Sequence, residues 1–313
     1  MSRRRFFFLL PFIFLLTGLG EKAFSLDPIP SDPRGVLRYP VENWRNRSYE
    51  VFSWDIFPEI LIFDTASYTV QDRLFKRLAF FVEKAGFRGR LASDAEIADL
   101  HGWNAHDYRA FDLAAFFETA RKRNFPLLDE ERDLEDLLLR AGIIVRNSAM
   151  EIIPGRGAII SVSRESDKTD TSLRYLFMAH EGFHGIYFID EDFRNFSRKR
   201  WDAFPSPARK FLLSFFDFQA YDTKDTALVV NEFMAHVLQR PVSQAAWYFG
   251  EHLPNRMIST SPWRRSFLPD EEEISERGVS SWPEIAKAFT AEAEAFSSYV
   301  ERRWGLAAGR VWR

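Results

Sequence analysis

The feature that most constrains this chain is a long apolar segment with three polar side chains at its centre. Residues 171–189 carry apolar side chains at helical spacing, and within them residues 180–184 read His-Glu-Gly-Phe-His, the pattern H-E-x-x-H. On a helix, residues four apart share a face, so both imidazoles can reach one ion about 2 Å from each nitrogen. Glu181 then lies about 100° around the axis. The sequence therefore predicts a metal-binding helix, with core histidines bonded to backbone carbonyls as the alternative.

Any metal site in this chain has to use histidine and carboxylate side chains, because there is no cysteine and there are only six histidines. His180 and His184 are the first two candidate ligands, and Glu181 is the candidate general base. The best candidate for a third ligand is the segment at residues 231–236, which carries Glu232 and His236 within a second helix-patterned stretch at residues 226–239.

At these two helices the sequence resembles the gluzincins, the zinc peptidases that include thermolysin. In that group an H-E-x-x-H helix faces a second helix with a glutamate ligand, often within Asn-Glu, as at residues 231–232 here. The resemblance implies a zincin-like catalytic region and a metallopeptidase with Zn²⁺ on His180, His184 and Glu232. It implies that Glu181 is the general base for a zinc-activated water, and that the substrate is a peptide or protein.

His236, four residues after Glu232, departs from this pattern, because thermolysin-like enzymes have there an aspartate that orients a ligand histidine. A neutral His236 could accept a hydrogen bond from a ligand ring, replace Glu232 as the third ligand, or join it in a closed structural site. A histidine without function on the helix face is equally compatible. The competing function is a non-catalytic binding or assembly protein with a structural or vestigial metal, which the presence of Glu181 disfavours.

Stabilisation of a tetrahedral intermediate needs a further hydrogen-bond donor near the metal. Tyr221 is the favoured catalytic candidate, because thermolysin-type gluzincins carry a tyrosine shortly before the ligand glutamate. All the candidates flank the second helix: Tyr221, Tyr248, His252 and Arg256. The strand predicted at residues 157–162 resembles the edge strand on which such peptidases bind an extended substrate. His101 and His106 are interpreted as structural or surface residues.

The remaining pattern predicts an α+β fold that is mainly helical. Strands are predicted at residues 59–64, 143–145, 151–153 and 157–162, with the last three in a small antiparallel sheet. Helices are predicted at residues 70–85, 93–100, 108–124, 130–141, 207–216, 243–251 and 282–303, in addition to the two metal helices.

Three segments complete the predicted organisation. Residues 26–45, rich in proline and turn formers, are predicted to be an extended lead-in, and the acidic run at residues 270–273 is predicted to start a helix. The domains expected are an N-terminal α/β region at residues 26–145 and a zincin-like catalytic domain at residues 146–313.

Residues 1–25 have the pattern of an export signal. Three arginines precede an apolar run at residues 6–20 that is too short to span a bilayer comfortably, and small residues precede a possible cleavage after Ser25. The start also partly resembles a twin-arginine signal. The pattern favours a cleaved signal peptide over an uncleaved anchor. We therefore expect an extracytoplasmic protein, periplasmic or secreted, that meets a membrane only through this segment if it is retained.

The charge distribution argues against nucleic acid as a partner. The net charge is −3, and acidic and basic residues are interleaved along most of the chain. Binding to a phosphate backbone relies on a basic patch or stripe, which this sequence does not have.

Overall fold

The computed structural model describes residues 27–84, 86–170, 172–274, 276 and 278–313. Its strands are β1 (Ile29–Ser31), β2 (Tyr49–Trp54), β3 (Phe57–Thr65), β4 (His106–Arg109), β5 (Ile144–Arg146), β6 (Ile152–Pro154), β7 (Ala158–Ser163), β8 (Glu273–Ile274) and β9 (Ser280–Ser281). Five of them form a mixed sheet in the order β1-β2-β3-β7-β4. In it β1 is parallel to β2 and β7 is parallel to β3, while β2 is antiparallel to β3 and β4 to β7.

Helices surround this sheet. They are α1 (Pro33–Arg38), α2 (Tyr68–Val82), α3 (Asp94–Ile97), α4 (Ala110–Lys122), α5 (Asp129–Arg140), α6 (Ser166–Thr169), α7 (Leu173–Ile189), α8 (Glu191–Ala203), α9 (Ser206–Phe218), α10 (Thr226–Leu238), α11 (Val242–Trp247), α12 (Leu253–Thr260) and α13 (Pro283–Trp304). The predicted α+β class, mainly helical, is confirmed. Within the described part of the chain, no helix is both long and apolar enough to cross a membrane. The predicted export signal at residues 1–25 lies outside the described residues.

The two faces of the sheet carry separate hydrophobic cores. On β3, Ile60 and Ile62 pack with α7 and the helices that follow it, whereas Leu61 and Phe63 pack with α2, α4 and α5. Alternate residues of a strand point to opposite faces, so a strand covered on both sides needs an unbroken apolar run. This explains why residues 59–64 were recognisable as a buried strand.

Several predicted elements need correction. Residues 108–124 do not form one helix, because their start belongs to β4, and the helix proper is α4. The strand at residues 157–162 is neither part of the small antiparallel sheet nor an edge strand: β7 lies between β3 and β4, and only β5 and β6 pair in the small sheet. Edge position depends on pairing between distant segments, which the local pattern does not contain.

The terminal segments differ from prediction as well. Residues 26–45 are not a simple extended lead-in, since β1 and α1 lie there and Val36 is fully buried. The acidic run at residues 270–273 is exposed but starts no helix, and its last residue belongs to β8. The predicted domain boundary after residue 145 falls between strands that share the five-stranded sheet.

Helix α7 contacts the sheet near its start and along its length. Arg174 Nη2 lies 2.6 Å from Asp64 Oδ2 on β3, and both side chains are buried. A Cβ on Gly185 would lie 3.1 Å from Ile60 Cγ2, and one on Gly182 would lie 3.1 Å from Val311 in the C-terminal segment. Two glycines therefore let the helix approach the sheet on one side and the chain terminus on another.

A similar close approach joins the π-helical turn Tyr248–His252 to α13. A Cβ on Gly250 would lie 2.6 Å from the Ala286 Cβ, and the Gly250 carbonyl accepts a hydrogen bond from the Trp282 backbone N–H at 2.8 Å. Neither of these two Cβ atoms is the end of a flexible side chain. The π-helical turn and α13 would therefore have to move apart to admit a larger residue at position 250.

We predict that Gly250→Ala destabilises the protein by about 1–3 kcal/mol, the usual cost of overpacking a tight contact. In the double variant Gly250→Ala/Ala286→Gly the obstacle is removed, so its loss should be smaller than the sum of the two single losses. Urea unfolding of the four proteins measures this coupling. Additive losses would show that the contact at Gly250 is not tight.

Candidate metal centre

Helices α7 and α10 bring three of the predicted ligands together. The Nε2 atoms of His180 and His184 lie 3.1 Å apart. Glu232 on α10 places its Oε2 3.7 Å from His180 Nε2 and its Oε1 3.7 Å from His184 Nε2. Helix α10 begins after Asp225, its N-cap, whose side chain accepts hydrogen bonds from two backbone N–H groups. One ligand atom from each of the three residues lies within 4.8 Å of the others.

This arrangement fits a tetrahedral zinc ion. Ligands about 2.0–2.1 Å from such an ion lie about 3.3 Å from one another, close to the separations found here. Burial lowers the pKa of His180 to about 4, so its ring is neutral near neutral pH, as a ligand has to be. Glu232 Oε2 is buried without a hydrogen-bond partner among the described residues, and a cation would satisfy it.

Gln239 orients the His180 ring. Its Oε1 accepts a hydrogen bond from His180 Nδ1 at 3.1 Å, and its Nε2 donates to His236 Nδ1 at 3.1 Å. His180 therefore carries its proton on Nδ1, which leaves the Nε2 lone pair facing His184 and Glu232. Gln239, which lies immediately after α10, has no signal in the sequence that marks it as part of a metal site.

His236 lies next to the three candidate ligands His180, His184 and Glu232 but outside their group. It supplies no atom to the three-residue group found among the described residues, although its Nε2 is 3.8 Å from Glu232 Oε2. Burial lowers the pKa of His236 well below its usual value, so the ring is neutral. Of the alternatives left open by the sequence, the geometry favours Glu232 as third ligand and His236 as a neutral outer partner, reached through Gln239.

Asp107 is the partner of the second histidine, and it was not predicted. It lies on β4 opposite Ile160, whose side chain faces the α7 core, so Asp107 faces α7 as well. Its Oδ2 is 3.7 Å from His184 Nδ1, a buried atom with no hydrogen-bond partner among the described residues. If His184 binds a metal through Nε2, its Nδ1 carries the proton, and Asp107 is the nearby acceptor.

A second possible cation group consists of Asp107, Glu181 and His184. It competes with the first, because a neutral imidazole has one lone pair and His184 cannot offer both nitrogens to two ions. With Nε2 on the metal, His184 Nδ1 carries the proton that faces Asp107 and does not hold an ion. The geometry favours the first group, in which three ligand atoms converge with no proton between them.

Glu181 lies beside this cluster in a crowded acidic environment. Burial, followed by the charges of Asp107, Glu232 and Glu83, raises the pKa of Glu181 well above its usual value. A carboxylate oxygen of Glu181 lies within 4.8 Å of one of Asp107. Glu83, at the end of α2, is also buried, and its pKa is raised by burial and by the same neighbours. Four carboxyl groups therefore meet in one cleft.

The candidate ligands His180 and Glu232 lie in the wall of a cavity of about 350 Å³, which we call the metal cavity. Of the predicted donors, Tyr221 and Arg256 line this cavity, whereas neither Tyr248 nor His252 is among its lining residues. The Tyr221 ring stacks on Trp103 at 5.3 Å between centroids. Tyr221 therefore lies in the cavity wall, and its role in stabilising an intermediate stays a prediction.

The two remaining histidines differ in position. His106 is buried, and its Nδ1 lies 2.8 Å from the Tyr108 hydroxyl, which agrees with a structural role. His101 is exposed and forms part of the cavity wall. Residues 103–105, which lead into β4, line the same cavity, as does Asp107 on β4. This segment therefore brings Asp107 next to the candidate ligands.

Comparison with known proteins identifies no relative. No protein-family model matches the chain, and neither the curated proteins nor the solved structures contain a significant match. The chemistry of the centre therefore rests on its own residues.

We predict that Glu232→Ala lowers zinc affinity by more than about 100-fold, because losing a ligand costs more than the 10–100-fold typical of losing an outer partner. His236→Ala should lower it by about 10-fold or less, since His236 acts only through Gln239. Competition with a chromophoric chelator measures both values. The opposite ranking would make His236 the third ligand.

We also predict that Gln239→Ala lowers zinc affinity by about 10–100-fold, because the His180 ring loses the acceptor that fixes its tautomer. Gln244→Ala, an exposed glutamine five residues further on, is the matched control and should leave the affinity unchanged. Equal affinities for the two variants would show that Gln239 does not orient the ligand.

Proposed function

We propose that this protein is a zinc-dependent metallopeptidase. The observation that carries the proposal is the convergence of His180, His184 and Glu232 beside the buried carboxyl of Glu181, at the floor of an open cavity. Three protein ligands leave one position for water or substrate, which separates a catalytic from a closed structural site. A bound zinc would polarise the carbonyl of the bond to be cleaved and acidify a water molecule.

Glu181 is proposed as the general base. Its Oε2 is buried with no hydrogen-bond partner among the described residues, so it is available to a water molecule in the cavity. Its raised pKa brings it closer to neutral pH, where a group can both accept and return a proton. In this proposal Glu181 takes the proton of the attacking water and delivers it to the leaving amine.

Strand β4 is the proposed platform for an extended peptide. Among the described strands it pairs only with β7, so its other edge offers backbone groups to a further strand. Asp107 belongs to β4, and the preceding residues 103–105 line the metal cavity. A peptide added along this edge would pass next to the candidate metal ligands. The sequence had predicted this substrate-binding role for residues 157–162.

The proposed enzyme acts outside the cytoplasm, with an export signal at residues 1–25 as the basis for this part of the proposal. Peptides and proteins are the proposed partners, and the interleaved surface charge argues against nucleic acid.

We predict that Glu181→Gln keeps about one zinc per chain and lowers peptide hydrolysis by about 10²–10⁴-fold, the usual contribution of a general base. Elemental analysis gives the zinc content, and digestion of a peptide library followed by mass spectrometry gives the activity. Glu191→Gln, an exposed glutamate at the start of α8, is the matched control. A wild-type protein that binds zinc but cleaves no peptide would instead support the non-catalytic binding or assembly function.

A further inference from the structure

The cleft does not end at the metal centre. Gln239 and Arg256 line the metal cavity and also a neighbouring cavity of about 570 Å³, which reaches past Arg240 and Trp247 to Tyr175. We call this second cavity the trench. Because the two cavities share wall residues, a substrate long enough to leave the metal centre on this side would enter the trench.

Two arginines in the trench lack an acidic partner. No carboxylate of a described residue lies within ion-pair distance of Arg240 or Arg256. The Arg240 guanidinium lies 4.5 Å from the centre of the Tyr248 ring, its Nη1 donates to Gln244 Oε1 at 3.4 Å, and its Nε is buried without a partner. Arg88, on the other side of the cleft, is in contrast paired with Asp225, whose Oδ2 lies 2.8 Å from its Nη2.

The other charges in the trench offset these two only in part. Asp170 is the only acidic residue in its wall among the described residues. Its carboxylate accepts a hydrogen bond from the Ser172 backbone N–H at 2.8 Å and attracts Arg240 over a longer range than an ion pair, so one negative charge faces two positive ones. His252 contributes no lasting positive charge, because burial and the two arginines lower its pKa. The trench is therefore basic, whereas the adjoining metal cavity is rich in carboxylates.

We propose that the trench is an anion subsite in which Arg240 and Arg256 bind a carboxylate of the substrate, away from the bond that is cleaved. The guanidinium group presents N–H donors in a planar fork that matches a carboxylate, and two guanidinium groups without a carboxylate partner in the wall of one cavity favour an anion over any neutral group. This inference rests on the proposed peptidase function and names its substrates as peptides with a free C-terminal carboxylate or an acidic side chain on this side.

The test uses the full zinc-loaded chain with Glu181→Gln, so that peptides bind without being cleaved. Two random hexapeptide pools without Asp or Glu differ only in a C-terminal carboxylate or amide, and two amidated pools differ only in Glu or Gln at one internal position. Retention of each pool on the immobilised protein is measured by mass spectrometry. We expect one of the acidic pools to bind about 10–100-fold more tightly than its neutral counterpart, the range for one or two charged hydrogen bonds.

The variants R240Q and R256Q, made in the same background, should abolish this preference while leaving the neutral pools unaffected. R198Q, at an exposed arginine of α8, is the matched control and should preserve the preference. A preference for the C-terminal acid identifies the peptide terminus as the ligand, and a preference for internal Glu identifies an acidic side chain.

Two failures can be told apart. If acidic and neutral pools bind equally to every variant, the anion subsite is wrong, whether or not the wild-type protein cleaves peptides. If the wild-type protein with bound zinc cleaves none of the pools but the arginine-dependent preference is present, the subsite stands and the peptidase function is wrong.

Discussion

The structure depends on the burial of an acidic cluster where three helices and a strand meet. Glu83, Asp107, Glu181 and Glu232 converge beside two imidazoles, and burial raises the pKa of Glu232 to about 7. Neighbouring carboxylates cannot all be ionised in a poorly solvated space unless positive charge compensates them. Protons can compensate, or a divalent cation can. The cluster is thus a stronger reason to infer a metal than the motif alone, because the motif accounts for only one of these four carboxyl groups.

Such a cluster requires a rigid frame, because ligands must be held to within about 0.5 Å of their productive positions. Helix α7 is held at its start by the Arg174–Asp64 ion pair and along its length by contacts at Gly182 and Gly185. The glycine positions matter because each one removes the side chain that would separate the helix from its neighbour. The sheet and the C-terminal segment consequently fix the depth at which the two histidines lie.

The part of the centre that the sequence predicted is the part encoded by local spacing. His180 and His184 share a face because they are four residues apart on one helix, and Glu232 belongs to a second helix with an equally clear pattern. Asp107 gave no such signal, because β4 has only four residues and its apolar positions merge with the pattern of α4. Which strand forms the sheet edge was also beyond local reasoning, since β4 pairs with β7 across about 50 residues.

Gln239 shows how the acidic centre and the basic trench are related. Its side chain accepts a hydrogen bond from the His180 ring, and it also lines the trench next to Arg240. The separation between the candidate ligands and the cationic wall is therefore set by one buried side chain and the helices around it. The proposed peptidase would need such a fixed separation to select a bond at a constant distance from a carboxylate, because specificity is lost when the two binding points move independently. Under that proposal, the side chain that orients a candidate ligand would also limit the length of substrate that can reach from the metal site to the arginines.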